Sequence, residues 1–375
     1  MIQDNYSEIC PVDIRNPFRN PTEEPDYSPD YREILPTADM PDCRLPLLPQ
    51  QHEKSAIRRF LAITFLMLLF AFLTANTLYT LMDMIVKSVV QQIDLRTMNE
   101  LPDNYDLIVS QFLDESAVNS ALTLISYTVG NLLAFILGIR ITKVKVGSLF
   151  RLRNLTAACT LSYILLGLWM QLLAGYAADW VTTFFSTAGI PVYSPDISLN
   201  GSAMRTLMIV LYVCVIGPIT EELLLRGFVL KNLSRVSQRF GILLSALLFA
   251  LMHENVSQFL FTFPFGILLA YITVKHNSLT PAIITHILVN SAAVLMEFGR
   301  LYLPHSTFRH AEMIYILAIL LLGTVSLFYM LLTERLPDLT PHQSTRSKRL
   351  LMTAPLFWVF VLVHIGMAWF AAAFL

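Results

Sequence analysis

Long runs of apolar residues follow one another along nearly the whole chain after residue 50, and they constrain its fold more than any other feature. An α-helix needs about 20 such residues to cross the hydrocarbon core of a bilayer. Of the residues, 55% are hydrophobic and only 14% are charged, whereas soluble domains are about one quarter charged. The pattern predicts an all-α, polytopic transmembrane helical bundle of about eight to nine spans.

The polar, proline-rich residues 1–50 precede the apolar runs and have the composition of a disordered tail. We divide the rest into N-terminal transmembrane helices over 51–200, a core over 201–300 that holds charged residues, and C-terminal transmembrane helices over 301–375. The predicted spans cover about 61–86, 117–139, 155–178, 204–230, 241–258, 259–274, 279–298, 313–332 and 354–375.

Lysine and arginine are concentrated in alternate loops of this arrangement. Basic residues precede the first span, fill the loop after the second and follow the fourth and sixth, whereas residues 179–202 contain none. Cytoplasmic loops carry the excess of basic residues, so we expect a cytoplasmic N-terminal tail and a C-terminus on the opposite side. The net charge of −1 gives no large basic surface, and we expect the lipid bilayer as a partner and no nucleic acid.

Three charged residues lie well inside the fourth predicted span, and charged residues are costly in a membrane and mark functional sites. Glu222 and Arg226 stand four residues apart, so they share one helix face and can form an ion pair. Glu221 points about 100° away from Glu222, which leaves its carboxylate free. A free carboxylate in such a site suits a general base.

Two later spans contribute histidines. His253 lies within the fifth, and His286 and Asn290 stand four residues apart on one face of the seventh. Measured from the basic residues at the span ends, Glu221, His253 and His286 lie roughly 15, 21 and 16 Å deep at about 1.5 Å per residue. Residues from three helices at similar depth are what a shared site requires, so we expect them to line one water-accessible cavity.

Three short motifs fall in separate predicted spans and in a fixed order. They are Glu-Glu-x-x-x-Arg, Phe-x-x-x-His and His-x-x-x-Asn, which end at Arg226, His253 and Asn290. Together they resemble the CPBP family of intramembrane proteases, which includes the type II CAAX prenyl endopeptidases and bacterial bacteriocin-processing and immunity proteins. The resemblance covers residues 204–296, and its bacterial branch implies a bacterial cell membrane as the location.

The resemblance implies a role for each motif residue. Glu221 matches the glutamate that activates water to hydrolyse a peptide bond, and Glu222 and Arg226 match its supporting pair. The remaining catalytic positions fall on His253, His286 and Asn290. A zinc ion with one open position would suit Glu221, His253 and His286 as ligands, and both a metal-free and a zinc-dependent mechanism are compatible with these residues.

The resemblance predicts an endopeptidase whose peptide or protein substrate enters from the membrane or the cytoplasmic side, in bacteriocin or peptide processing or in self-immunity. Two alternatives stay open, a proton-coupled membrane transporter and a non-catalytic membrane scaffold or immunity protein. The chain has no detectable internal repeat, which speaks against an inverted-repeat transporter. The complete set of motif residues speaks against a silent scaffold.

Two further polar residues in the apolar regions are assigned no chemistry. His364 lies within the last apolar run without a motif partner, and we expect it to be a packing residue. Glu254 follows His253, but Ser257 stands where the helical zinc-protease motif needs its second histidine. We therefore expect Glu254 to lie at the periphery.

Overall fold

The computed structural model describes residues 49–97, 101–114, 116–142, 144, 149–150, 155–189, 199, 201–234, 238–333 and 351–374. Within these residues the chain forms helices and no strand, which confirms the predicted polytopic helical bundle. The helices are α1 (Pro49–Thr97), α2 (Tyr105–Asp114), α3 (Ala117–Thr142), α4 (Ala157–Thr187), α5 (Ala203–Ser234), α6 (Gln238–Leu251), α7 (Val256–His276), α8 (Thr280–Tyr302), α9 (His305–Thr333) and α10 (Pro355–Phe374). The predicted tail, residues 1–50, lies almost wholly outside the described residues.

Eight of these helices are long and apolar enough to cross a membrane, and the two short ones are α2, with 10 residues, and α6. The 14 residues of α6 rise only about 21 Å, less than the roughly 30 Å of a hydrocarbon core. The predicted fifth span, residues 241–258, is therefore wrong at its end. The Asn255 side chain accepts a hydrogen bond from the Gln258 backbone N–H and begins α7 there, because such a cap satisfies a free donor at a helix start.

Helices α6 and α7 form an antiparallel hairpin. Only residues 252–255 connect them, and the two helices pack along each other. The start of α6 and the end of α7 consequently lie toward the same side of the bundle, where Arg239 and Lys275 stand. The turn between them, which carries His253, lies at the opposite end of the hairpin.

Helix α5 contains two π-helical segments close to the charged residues. Tyr212–Ile216 and Leu223–Leu230 are π-helical, and Gly217–Glu222 between them is α-helical. The wider π turns are frequent at functional sites. Here they flank the segment that carries Glu221 and Glu222.

The packed interior consists of two main apolar clusters, one on each side of the charged residues. The first contains Phe249 of α6 together with residues of α1, α3, α5 and α10. The second contains Phe265 of α7 with residues of α4, α8 and α9. Both rings lie edge-on to the imidazole of His286, with centres 5.9 and 5.4 Å away, so this histidine marks where the two clusters meet.

Candidate active site

Glu222 and Arg226 form the predicted ion pair on α5, and both side chains are fully buried. Arg226 Nη1 donates to Glu222 Oε1 at 2.8 Å, and Nη2 donates to the backbone carbonyl of Gly266 in α7 at 3.2 Å. The guanidinium carbon also lies 4.6 Å from the centre of the Phe249 ring, which is a cation–π distance. Arg226 therefore ties α5 to both helices of the hairpin.

His286 of α8 lies between the two adjacent carboxylates of α5. Its Nδ1 is 3.0 Å from Glu222 Oε1, and since a carboxylate only accepts hydrogen bonds, Nδ1 carries the hydrogen. Its Nε2 lies 3.8 Å from Glu221 Oε2, which is too far for a direct hydrogen bond. In the neutral ring, Nε2 presents a lone pair toward Glu221.

His253 lies in the turn after α6, and not within a helical span as predicted. Its Nδ1 donates to the backbone carbonyl of Phe249 at 2.9 Å, one of the carbonyls that a helix end leaves without a backbone donor. The Phe249 ring packs between the two histidines, 4.8 Å from the His253 ring and 5.9 Å from the His286 ring. His253 interacts electrostatically with Glu221 and His286. The hydrogen bond to Phe249 uses Nδ1, so Nε2 can take part in the chemistry.

Asn290 holds the backbone of the helix that carries the carboxylates. Its Nδ2 donates to the carbonyl oxygen of Val213 at 2.9 Å. In the π-helical register, the Gly217 N–H bonds to the Tyr212 carbonyl, so the donor for Val213 would come from residue 218. Pro218 has no N–H, and Asn290 supplies the missing donor across the helix interface.

Glu221 differs from Glu222 in its access to solvent. The Glu221 side chain is 22% exposed, while that of Glu222 is fully buried. The Glu221 carboxylate and the Nε2 of His286 are both hydrogen-bond acceptors, and they face one another. One water molecule can donate a hydrogen to each of two such acceptors, which turns its oxygen lone pairs outward to a substrate.

The side chains of Glu221, His253 and His286 are of the types that bind zinc, which prefers nitrogen, oxygen and sulfur ligands in a tetrahedral arrangement. Among the described residues, however, no group of three or more His, Cys, Asp or Glu side chains is spaced to hold a metal ion. A zinc site at these three side chains stays a prediction, and the steps proposed for the reaction pass through no metal.

The structure also gives His364 a polar partner that sequence reasoning missed. His364 Nδ1 lies 2.8 Å from Glu254 Oε1, so Glu254 is paired with a buried histidine, while its own side chain is 23% exposed. The two residues are 110 positions apart, and neither a motif nor a helical spacing connects them.

A family match covers the segment that carries the motif residues. Residues 203–292 match the family model described as type II CAAX prenyl endopeptidase Rce1-like. No curated protein and no solved structure matches the chain. The matched segment runs from the start of α5 into α8, and it leaves α1–α4, α9 and α10 outside.

Proposed function

We propose that the chain is a CAAX-type intramembrane protease, because residues 203–292 match the family model described as type II CAAX prenyl endopeptidase Rce1-like, and that Glu221 activates the water that attacks the peptide bond. One observation carries this assignment. Of the two adjacent carboxylates, Glu221 is open to solvent and faces His286 across 3.8 Å, while Glu222 is buried in an ion pair. Glu222 Oε2 also lacks a hydrogen-bond partner, but it is buried, so only Glu221 presents a carboxylate oxygen on the exposed side of the pair.

The proposed reaction needs no group beyond these side chains and water. Glu221 takes a proton from the water as its oxygen bonds to the carbonyl carbon of the substrate. Glu222 keeps the His286 ring oriented by accepting a hydrogen bond from Nδ1. The Nε2 atom of His286 then accepts a hydrogen bond from the second hydrogen of the water. The C–N bond then breaks and the proton on Glu221 passes to the leaving nitrogen, which gives an amine and a carboxylic acid. The acid then releases its proton to the amine or to solvent, so a carboxylate remains.

The negative charge on the carbonyl oxygen in the intermediate requires hydrogen-bond donors. We assign this part to His253, which donates from Nε2 when that atom is protonated, and to the second amide hydrogen of Asn290, since its first is used on Val213. Donors fixed before the reaction lower the barrier because they need no reorganisation as charge develops.

The proposed substrate is a peptide or protein segment that enters from the membrane or the cytoplasmic side. The family description names prenyl endopeptidases, so a prenylated C-terminal Cys-aliphatic-aliphatic-X peptide is the first candidate. An unprenylated peptide of the bacteriocin-precursor kind is the second, with a role in processing or self-immunity. Either candidate can be cleaved only if its scissile peptide bond reaches the depth of Glu221 in the membrane.

The experiment compares a farnesylated peptide with its unprenylated counterpart, using the purified full-length protein in lipid nanodiscs and water enriched in ¹⁸O. Hydrolysis places one ¹⁸O atom in the new carboxylate of the product, which mass spectrometry detects. Cleavage of one peptide and not the other assigns the substrate class. Absence of any cleaved product, with peptide transport or tight binding instead, would support a transporter or a scaffold and reject the proposal.

Zinc dependence is tested separately. The mechanism above uses no metal, so we expect activity to survive extended dialysis against a chelator, and metal analysis to find less than one zinc per chain. Loss of activity that stoichiometric zinc restores, together with loss of bound zinc in His253→Ala, would establish the zinc site of Glu221, His253 and His286 instead.

A further inference from the structure

The turn between α6 and α7 contains a backbone conformation that needs support from its surroundings. Glu254 has a φ of 57°, in the left-handed region that side chains other than glycine rarely adopt. Such strain persists where neighbouring structure holds it, and it concentrates at functional sites. Glu254 directly follows His253, so whatever holds this residue also fixes the position of the histidine.

Two anchors of this turn come from the hairpin itself. The His253 side chain donates to the Phe249 carbonyl at 2.9 Å. Asn255 Nδ2 donates to the His253 carbonyl oxygen, and the Asn255 side-chain oxygen accepts from the Gln258 N–H. These bonds fix the residues before and after Glu254 but leave its own side chain unaccounted for.

The third anchor comes from α10. His364 Nδ1 lies 2.8 Å from Glu254 Oε1, and the His364 side chain is only 2% exposed. Its Nε2 is buried without a hydrogen-bond partner, which matches a ring that carries its hydrogen on Nδ1 and donates it to the carboxylate. The ring lies 5.0 Å from Phe72 of α1 and 4.2 Å from Phe360, so its orientation is fixed by packing.

This contact reaches the site from a part of the chain that the family match does not include. His364 lies near the middle of α10, and α10 packs against α1 and α6. A mid-helix histidine in the last span thus meets the turn that carries His253.

We propose that His364 is a positioning residue for the peptidase reaction, which holds the strained turn through Glu254 and thereby aims His253 at the substrate. This inference rests on the proposed function for its catalytic meaning, but its structural part stands apart from it. Helix α10 is then a component of the active site, although it carries none of the family motifs.

Substitutions at both ends of the contact test the proposal. His364→Phe keeps a ring between Phe72 and Phe360 but removes the donor, and His364→Asn places an amide donor near the former Nδ1. We expect His364→Phe to lower kcat about 10- to 100-fold, since a misplacement of about 1 Å costs that much, while KM changes less than about twofold. His364→Asn recovers most of the activity, and Ile365→Leu, on the lipid-exposed side of α10, matches wild type.

Hydrogen exchange of peptides covering residues 252–262 supplies a readout that needs no activity, and it is measured in the Glu221→Gln background as well. We expect His364→Phe to increase exchange in this turn and His364→Asn to restore protection. If His364→Phe does not fold, Glu254→Gly replaces it, because glycine relieves the left-handed strain and removes the carboxylate. We expect the same loss of kcat.

Wild-type kcat and wild-type exchange in folded His364→Phe or Glu254→Gly would overturn the proposal. A variant whose kcat falls only in proportion to its loss of folded protein, with no recovery of activity in His364→Asn, would also overturn the proposal. Full activity of Glu221→Gln would reject the proposed function instead, and the exchange data would still report whether α10 holds the turn.

Discussion

Glu221 and Glu222 are neighbours in sequence but lie in different surroundings. Glu222 accepts hydrogen bonds from Arg226 and His286 inside the bundle. Glu221 keeps partial contact with solvent and faces His286 without a direct hydrogen bond. One carboxylate therefore stabilises the site and the other is free to react.

Glu222→Gln should destabilise the protein because it leaves Arg226 charged and without its carboxylate. Removing one partner of a buried ion pair lowers the free energy of unfolding of soluble proteins by about 3–5 kcal/mol. We therefore expect a clearly lower melting temperature in detergent. The double change Glu222→Gln with Arg226→Met removes both charges and should recover part of this loss. Recovery stays incomplete because the contacts of Arg226 with Phe249 and Gly266 are also gone. A Glu222→Gln variant that melts with wild type would contradict the account.

The pairing within α5 was predictable from the sequence, and the contacts between helices were not. Glu222 and Arg226 are four residues apart, and helix geometry alone brings them together. His286 meets Glu222 over 64 positions, and the motifs predict that both belong to one site without saying which atoms touch. Glu254 and His364 have no spacing or motif in common, so sequence reasoning left both without a role.

At the scale of single helices, α5 and α8 depend on one another. Pro218 removes a backbone donor from α5, and Asn290 of α8 replaces it at the Val213 carbonyl. Glycine and proline are residues at which helices kink, and here they stand together as Gly217-Pro218. The π-helical segments on either side of Gly217–Glu222, and the use of Asn290 to complete one of them, emerge only from the packed structure.

Gly217→Ala tests the geometry of this helix. A Cβ at position 217 would lie 2.8 Å from the Tyr212 carbonyl oxygen, so the π-helical turn would have to shift, at a cost of about 1–3 kcal/mol for an overpacked site. We expect lower thermal stability and lower peptidase activity in the same variant. Gly175→Ala is the matched control, because a Cβ there meets no atom within 4 Å and alanine favours a helix by about 0.5–1 kcal/mol. Equal behaviour of the two variants would contradict the close approach at Gly217.

At the scale of the whole molecule, the eight candidate spans agree with the predicted eight to nine, and the sidedness of the termini stays a prediction. The nine predicted spans become eight long helices and the short α6. Because α6 and α7 form a hairpin that returns to its starting side, the remaining seven long helices set the relation of the two termini. Seven crossings, an odd number, would place the C-terminus opposite to the N-terminus, which is what the basic loops predict.

A reporter fused after Leu375 tests this topology. We expect a signal from the side opposite to the cytoplasm, and a cytoplasmic signal from the same reporter fused before Met1. A reporter in the loop between α8 and α9 controls for fusion artefacts, since it should report the non-cytoplasmic side when α6 and α7 return together. Termini on the same side would mean that α6 and α7 do not form a returning pair in the membrane.

The length and end points of the helices followed from hydropathy only where the apolar run and the helix coincide. Helix α1 continues to Thr97, well past the predicted end near residue 86, and α2 forms in a stretch that we treated as a loop. Polar residues outside the bilayer extend a helix without changing the hydropathy signal. The predicted fifth span runs straight through the turn at His253, although three of the four connecting residues 252–255, Met-His-Glu-Asn, are polar.

The central claim, that Glu221 is the base of a peptidase, is tested most directly by the kinetics of Glu221→Gln in nanodiscs with a cleaved peptide. Glutamine keeps the shape of the side chain but takes no proton from water, and general-base catalysis contributes about 10²–10⁴-fold. We expect kcat to fall by that factor while the melting temperature stays within error of wild type and of Glu312→Gln, a partly exposed control on α9. Wild-type kcat in Glu221→Gln, or early melting of Glu221→Gln beside a folded but inactive Glu222→Gln, would contradict the assignment.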